Sequence, residues 1–164
     1  MVIAYRDNYE IYAVNGIFFS HESPRRGKDF LTMKVINGVL DIKEGKTKSL
    51  KLGSLDVYRD WGDARDYVIA AHLMMQQDSP VDYNICTEIS HSVRDIVDFI
   101  FLQFGLNYKD YVRSDHTLIR SNEPKIVLGN NSKIRNDLGW SVTISFEEML
   151  LECIKSEKKR RNIG

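Results

Sequence analysis

The chain has 164 residues, 43% of them hydrophobic, which is enough for one domain of ordinary size and excludes a disordered chain. Its 23 basic and 23 acidic residues balance, so charge gives no reason to expect nucleic acid or an anionic membrane as partner. With only two cysteines (Cys86 and Cys153), we expect no disulfide framework, and the four histidines are too scattered to predict a zinc site. We also expect no signal peptide and no membrane span, so the sequence favours a cytoplasmic protein.

The apolar pattern predicts strands and helices that alternate along the chain. Residues 1–10 begin at full apolar density without a cap, which is typical of the second half of a helix. Strands are predicted at Ile11–Phe19, Ser49–Leu55 and Asp82–Thr87. Helices are predicted at Lys28–Glu44, at Trp61–Gln77 with Asp63 as cap, from Ser92 to Gly105, at Ser132–Leu138 and from Ser145 onward. Residues 106–128 are predicted to be irregular, with a strand around Tyr111-Val112. This order predicts an α/β fold with at least part of a parallel sheet.

The most informative stretch is residues 15–27, NGIFFSHESPRRG, in which an apolar strand is predicted to run into a loop that holds His21, Glu22, Arg25 and Arg26. Ligands bind at strand ends in α/β sheets, and guanidinium groups grip phosphate oxygens in bidentate fashion. An isolated Arg-Arg pair is more often a solvated basic turn, so this stretch alone leaves both interpretations open.

Other polar residues stand at the ends of apolar elements, namely Ser20, Lys34, Arg59, Asp60, Trp61, Arg120 and Glu123. Several basic side chains that converge on one opening would suit a diphosphate, although each alone is better explained as a surface charge. No glycine-rich dinucleotide turn and no Ser-His-Asp arrangement occurs.

Two charged groups are interpreted as structural. The pairs Glu147-Glu148 and Asp60/Asp63 are interpreted as cap and surface carboxylates rather than as an acid–base pair. The basic tail Lys155 to Arg161 is interpreted as a solvated helix end.

Several motifs resemble those of the GDP-mannose 4,6-dehydratases, which are extended short-chain dehydrogenase/reductases with a Rossmann-type fold. They are VNGIFFSHESPRRG at residues 14–27, FLTMKV at 30–35, LGSLDVYRDWGDARDYV at 52–68, HSVRDIV at 91–97 and LGNNSKIRNDLGW at 128–140. The resemblance implies tightly held NADP and GDP-mannose as substrate. Hydride would leave C4 for NADP, water would be lost across C5 and C6, and the hydride would return to C6, giving GDP-4-keto-6-deoxymannose. It also implies a homo-oligomer, a dimer or a tetramer.

The resemblance also assigns expected roles to individual residues. His21 and Arg26 match cofactor contacts, and Ser20 stands where the family has an asparagine that faces the substrate. Leu31 and Lys34 match positions near the guanine nucleotide, and Arg59 matches the arginine that grips the diphosphate. Arg120 and Glu123 match a pair in which the arginine meets the phosphates and the glutamate meets the ribose. Carboxylates accept hydrogen bonds from sugar hydroxyls, which fits the last role.

The chain departs from the family pattern at several positions. Ser20 replaces asparagine, Met33 replaces an arginine, Ser121 replaces proline, and Pro124-Lys125 replaces Val-Asp. We expect these differences to cluster near the sugar nucleotide, so they leave room for a related substrate such as a GDP-linked heptose.

The family's glycine-rich turn, its Thr and Glu acid–base residues and its Tyr-x-x-x-Lys pair have no match in residues 1–164, and we expect them to precede residue 1. On this interpretation the chain is a single unit, 1–164, that comprises the last part of the Rossmann-like sheet and the sugar-nucleotide-binding subdomain, without the cofactor-binding half. It would then be inactive alone. Two alternatives are a non-catalytic module that docks on a full-length dehydratase and an independent nucleotide-sugar binder.

Overall fold

The computed structural model describes residues 1–119 and 122–163, and within them strands and helices alternate as the sequence predicts. The helices are α1 (Val2–Tyr9), α2 (Leu31–Lys43), α3 (Ala64–Met74), α4 (Val93–Gln103), α5 (Tyr108–Tyr111), α6 (Ser132–Leu138) and α7 (Phe146–Arg160). The strands are β1 (Gly16–Phe18), β2 (Ser20–Glu22), β3 (Leu50–Leu52), β4 (Tyr58–Asp63), β5 (Tyr83–Ile85), β6 (Ser90–Ser92), β7 (Val112–Ser114) and β8 (Ile126–Val127). None of the described helices combines the length and the apolar content of a membrane span.

The strands pair mostly in parallel, which confirms the predicted α/β class. β1 pairs with β5, and β3 pairs with β7, each in parallel. β4 is the centre of the largest sheet, with β2 and β8 parallel to it and β6 antiparallel. β4 therefore brings together three segments that are distant in sequence. The polar residues discussed below lie on it or beside it.

The apolar side chains form two cores. The larger lies between α2, α4 and α7 and the strands β3 and β4, and residues such as Val35, Ile96 and Leu150 are fully buried in it. The smaller surrounds Tyr67 of α3, and its other members include Ile85, Ile134 and Trp140. Each of these helices buries one stripe of its surface, as the 3.6-residue period predicts.

The predicted helix starts at Ser92 and Ser145 and the predicted cap Asp63 are confirmed. Ser92 and Asp95 form a reciprocal capping box at the start of α4, and Ser145 and Glu148 form one at the start of α7. These side chains satisfy backbone N–H groups that have no partner inside the helix. Asp63 caps α3 by accepting a 2.8 Å hydrogen bond from the Arg65 backbone N–H.

The strands β2, β4, β6 and β8 were not predicted. Residues 20–22, predicted as part of a loop, form β2, and the first predicted strand contributes only Gly16–Phe18. Tyr58–Asp63, where a helix was predicted to begin at Trp61, is the six-residue strand β4. Both segments carry charged residues that disfavour strands locally, and their pairing across the sheet outweighs that preference.

An apolar surface is left uncovered around the N-terminus. α1 buries none of its residues. We call the exposed apolar side chains here the α1–β1 face, which comprises Met1, Ile3, Tyr5, Tyr9, Ile11, Tyr12, Ile17 and Phe18. α1 is held to the rest of the chain by Arg6, whose Nη1 donates a 2.9 Å hydrogen bond to Asp82 Oδ1. Exposed apolar side chains in this number are typical of a surface on which other protein packs.

Candidate functional site

A cavity of about 300 Å³ opens between β2, β4 and the N-terminal end of α2. Five of the residues selected from the sequence line it together, namely Ser20, Arg26, Leu31, Arg59 and Glu123. Its other walls include Trp61 from β4, Val93 from α4 and the backbone turn at Gly53-Ser54. The sequence predicted that these side chains converge, and the fold brings them to one opening because β4 pairs with both β2 and β8.

The alternation of β2 decides which of its side chains face the cavity. Successive side chains of a strand point to opposite faces, so Ser20 and Glu22 share one face and His21 takes the other. Ser20 and Glu22 both line the cavity. The sequence analysis mentioned Glu22 but gave it no role in binding. Its position two residues after Ser20, on the same face of a strand, is the signal that could have identified it as a cavity residue.

His21 lies on the opposite face of β2, within an aromatic cluster. Its ring centroid is 5.1 Å from that of Tyr67 and 6.0 Å from that of Phe18. Its Nδ1 lies 2.8 Å from the carbonyl oxygen of Phe19, which can only accept, so Nδ1 carries a hydrogen and donates it. His21 therefore does not share the cavity with Arg26, although the sequence placed both in one loop.

The register of β2 against β4 fixes the position of this histidine. His21 stands opposite Gly62, and a Cβ atom at Gly62 would lie 2.9 Å from the Thr87 methyl group and would overlap the Tyr67 ring. Glycine is therefore required at position 62 for the tyrosine to pack under the histidine.

Arg26 is held between a carboxylate and an aromatic ring. Its Nε lies 3.6 Å from Glu22 Oε2, and its guanidinium carbon lies 3.7 Å from the centroid of the Phe30 ring. Burial raises the pKa of Glu22 to about 7, while the neighbouring Arg26 charge lowers it. A cationic fork at a cavity mouth is suited to an anionic ligand.

Arg59 and Glu123 contact each other across the cavity. Arg59 Nη2 donates a 2.8 Å hydrogen bond to Glu123 Oε1, and Nη1 donates to the carbonyl oxygens of Tyr58 and Pro124. The sequence assigned these two residues to different parts of a ligand and gave no sign of the pair. The ion pair fixes the guanidinium at the cavity wall.

Of the remaining residues selected from the sequence, some lie on α2 and others lie later in the chain. Leu31, in the first turn of α2, lines the cavity, but Lys34, one turn later, is half-buried and does not line it. Met33, expected near the sugar nucleotide, is fully buried in the larger core, because it lies on the inner stripe of α2. Arg120 lies outside the described residues, as does Ser121.

Asp60 and Asp63 were interpreted as cap and surface carboxylates, and the assignment to the surface is wrong. Both are 1% exposed. Asp60 accepts hydrogen bonds from the backbone N–H groups of Thr87 and Glu88, which ties β4 to the segment after β5. Asp63 is the α3 cap and also binds the Arg65 guanidinium. A buried carboxylate is costly without such partners, so we interpret both residues as stabilising the fold.

The basic tail is only partly the solvated helix end that the sequence predicted. Arg161 donates a 2.7 Å hydrogen bond to Asp41 of α2, and Arg160 pairs with the buried Glu157 at 3.0 Å. A larger groove of about 720 Å³ runs along α7, lined in part by Arg65, Glu152, Lys155 and Lys159. None of the residues selected for binding lines it, and Arg65 is already paired with Asp63 and Glu152.

Comparison with protein families gives a match over most of the chain. The family model for GDP-mannose 4,6 dehydratase matches residues 1–153. GDP-mannose 4,6 dehydratase 1 from Arabidopsis thaliana is 42% identical over 169 aligned residues, which cover 99% of this chain and 47% of the relative. The chain spans about half the length of the curated relatives it matches.

Solved structures share the fold. RMD from Pseudomonas aeruginosa, complexed with NADPH, superposes with a TM-score of 0.84 at 17% identity over 97% of this chain and 52% of that one. A dTDP-glucose 4,6-dehydratase from Bacillus anthracis, in complex with NAD, gives 0.84 at 21% identity over 98% of this chain and 49% of that one. These likenesses confirm the predicted Rossmann-type fold.

Proposed function

Because the chain belongs to the GDP-mannose 4,6-dehydratase family, we propose that it supplies the GDP-sugar-binding part of such an enzyme. The whole enzyme would convert GDP-mannose to GDP-4-keto-6-deoxymannose. The observation that carries the proposal is the convergence of Arg26, Arg59 and Glu123 on one cavity, from three segments of the chain. One guanidinium group and one carboxylate fit a diphosphate and a sugar hydroxyl, and the second guanidinium group fits a phosphate of the cofactor.

Each cavity residue has a role that its chemistry supports. Arg59 would bind the diphosphate oxygens, and Glu123 would accept hydrogen bonds from the ribose hydroxyls, while Arg26 would contact the cofactor. Ser20 would face the hexose, and Leu31 would contact the guanine. Since Arg59 is already held by Glu123, its guanidinium would meet a ligand without further ordering.

We propose NADP as the cofactor of the whole enzyme, which would supply the hydride acceptor and donor at C4 and C6. The solved structures named above were obtained with NADPH and with NAD, which supports a nicotinamide cofactor in general. Only part of a dinucleotide fits the residues of this chain. His21 would offer its Nε2 edge to the cofactor, and Arg26 presents a cation for a phosphate, but the described residues contain no glycine-rich turn for a pyrophosphate.

The α1–β1 face is our proposed contact with the cofactor-binding half. It carries large apolar side chains such as Tyr5, Tyr9 and Ile17, each more than half exposed. The strand β1 pairs only with β5 among the described strands, so its other edge is open to another strand. We also propose that the whole enzyme is a homo-oligomer of the cytoplasm, where the two buried cysteines would remain free thiols.

A GDP-linked heptose is a second candidate substrate. Ser20 lines the cavity where the family pattern has an asparagine, and the shorter side chain leaves more room and one donor fewer. The choice between the two sugars is decided by comparing their affinities for the same protein.

Calorimetry with GDP-mannose tests the proposal. We expect the 164-residue chain to bind GDP-mannose, and to bind UDP-glucose at least about tenfold more weakly, since a built site distinguishes bases by its polar contacts. Arg135→Ala, which changes an exposed arginine away from the cavity, is the matched control and should bind as the native chain does. Absence of measurable binding at millimolar GDP-mannose contradicts the proposed function.

A further inference from the structure

One face of α7 lines the groove of about 720 Å³, and its charges have no part in the proposed nucleotide site. Six residues of the helix share this face, since they follow one another at helical spacing. The opposite face, with Met149, Leu150 and Cys153, is buried. We call the residues that line the groove the α7 stripe, and it comprises Glu148, Leu151, Glu152, Lys155, Ser156 and Lys159.

The α7 stripe is self-complementary in the antiparallel direction. Its acidic residues lie in the N-terminal half of the helix, and its lysines lie in the C-terminal half. A second, antiparallel α7 that is aligned so that Glu152 faces Lys155 also brings Glu148 opposite Lys159. Each pair forms twice across a two-fold axis, because the positions of the stripe keep the same spacing when the helix is read backwards. Opposite charges therefore meet at every charged position.

The charged groups of the stripe are available for such pairs. Lys155 and Lys159 are exposed and form no ion pair or hydrogen bond with the other described residues. Glu148 uses Oε2 to accept hydrogen bonds from Ser145 at the start of α7, and these bonds lower the pKa of the Glu148 carboxyl. Its Oε1 accepts no hydrogen bond within the described part of the chain, so it is open to a cation from outside.

Arg65 does not cancel the acidic half of the stripe. Its Nη2 lies 2.9 Å from Asp63 Oδ2 and 2.8 Å from Glu152 Oε2. One guanidinium therefore faces two carboxylates, one of which is the buried Asp63. A net negative charge remains at this end of the groove, and a lysine from a second copy would reduce it.

We propose that the α7 stripe binds a second copy of this chain, whose own α7 lies antiparallel beside it across a two-fold axis. Such an interface uses one surface on both partners and closes at two copies. It rests on the proposed function only in that it specifies one contact of the homo-oligomer named there. It requires no nucleotide in the cavity, since none of the cavity residues lines the groove.

The association should be weak and sensitive to salt. Exposed ion pairs contribute little each, and screening by salt reduces them further. A single pair of helices also buries less surface than a standard interface. We therefore expect a dissociation constant for the dimer of about 10–100 μM at low salt, and an increase of at least about tenfold between roughly 0.05 and 0.5 M NaCl.

Exchanging the two central charges of the stripe tests the interface by sedimentation equilibrium. Lys155→Glu places carboxylates opposite each other in the dimer, and Glu152→Lys places lysines opposite each other. Each variant alone should dimerise at least about tenfold more weakly than the native chain. An equimolar mixture of the two variants restores both Glu–Lys pairs, so it should form a heterodimer with about the native affinity.

Two variants with the same changes of charge outside the stripe are matched controls. Asp98→Lys on α4 and Lys48→Glu in the loop after α2 both change exposed residues that do not line the groove. Both should dimerise as the native chain does. Circular dichroism checks the fold of every variant, and Lys155→Glu removes no ion pair between described residues, so it should fold as the native chain does.

Weaker dimerisation of each central variant, with recovery in the mixture, supports the inference. A native chain that stays monomeric at millimolar concentration and low salt overturns it. Dimerisation that neither substitution weakens also overturns it and places the contact elsewhere, such as on the α1–β1 face. Absence of recovery in the mixture overturns the antiparallel pairing. The affinity for GDP-mannose should be the same in all variants, so every one of these outcomes leaves the GDP-sugar site to its own test.

Disulfide trapping tests the register of the two helices. Leu151 and Ser156 face each other between copies in the proposed alignment, so a mixture of Leu151→Cys and Ser156→Cys chains should yield a covalent heterodimer under mild oxidation. Leu151→Cys alone should cross-link at least about fivefold less, because its two copies are offset by about 7.5 Å along the helix axis, beyond the reach of a disulfide. The native Cys86 and Cys153 are buried and do not compete. Cross-linking that favours position 151 with itself contradicts the proposed register.

Discussion

Arg59 Nη2 and Glu123 Oε1 form a 2.8 Å hydrogen bond between residues that lie 64 positions apart in the sequence. Both side chains are largely buried, and both line the same cavity. The bond exists because β8 pairs with the start of β4, which carries residues 123–127 alongside Arg59. It holds the guanidinium at the cavity wall before any ligand arrives.

Arg59→Ala should weaken binding of GDP by about 1–3 kcal/mol, the usual cost of removing a charged hydrogen-bond partner. The loss has two parts, the lost ligand contact and a Glu123 carboxylate left without its partner. Titration calorimetry measures the change, with Arg135→Ala as control. An affinity equal to that of the native chain removes Arg59 from the site.

A double-mutant cycle with Glu123→Gln separates the two parts. The amide keeps the shape and one acceptor oxygen but removes the charge. If the pair prepares Arg59 for the ligand, the two substitutions together should cost less than the sum of their separate costs. Strict additivity would mean that the pair has no bearing on binding.

Stability should depend on pH through Glu22. Its pKa is about 7 when folded and about 4.5 in the unfolded chain, so the folded state holds a proton that the unfolded state releases between these values. Stability therefore falls as pH rises from about 4.5 to 7. Glu22→Gln removes this loss, and we expect the variant to be more stable than the native chain by about 1–3 kcal/mol at pH 8 and equal to it near pH 4. Chemical denaturation at the two pH values measures this, and equal stability at pH 8 contradicts it.

The ion pair of Arg6 with Asp82 should control the attachment of α1. Hydrogen bonds from Arg6 and Asn15 lower the pKa of Asp82 to about 2, so the folded-state advantage of its charge is present above about pH 4 and is lost as pH falls through 2. Arg6→Ala should speed amide exchange in residues 2–9, because α1 buries none of its own residues. Exchange in α4 serves as internal control. Unchanged protection of α1 would show that something else holds it.

The isolated chain should not turn over GDP-mannose in the presence of NADP. The family resemblance places the proton-transfer tyrosine and its lysine in a Tyr-x-x-x-Lys pair, and no such pair occurs at a matching position here. Product analysis by mass spectrometry tests this, with the Arabidopsis dehydratase as positive control. Formation of the 4-keto-6-deoxy product by the chain alone contradicts the prediction.

The sequence predicted the helices well because their signals are local. The helix starts at Ser92 and Ser145 were predicted from the sequence, and the structure has a capping box at each, with Asp95 and Glu148 as the partners. Such features depend on neighbours one turn apart and need no knowledge of the fold.

The strands β2 and β4 were missed for the opposite reason. Glu22 and Asp60 are charged residues within strands. Glu22 is stabilised by Arg26, and Asp60 by the backbone N–H groups at positions 87 and 88. Those partners are contributed by tertiary pairing, which no local pattern reveals. The separation of His21 from Ser20 by strand alternation follows only once β2 is known to be a strand.

An NMR titration of the chain with GDP tests the central claim most directly, since it locates the nucleotide. The account predicts amide shifts at Leu31, Gly53 and Ser54, which line the cavity between β2, β4 and α2. Thr143, Leu151 and Ser156 of the larger α7 groove should not move. Shifts confined to that groove, or no shifts at millimolar GDP, would contradict the assignment of this cavity as the GDP-sugar site.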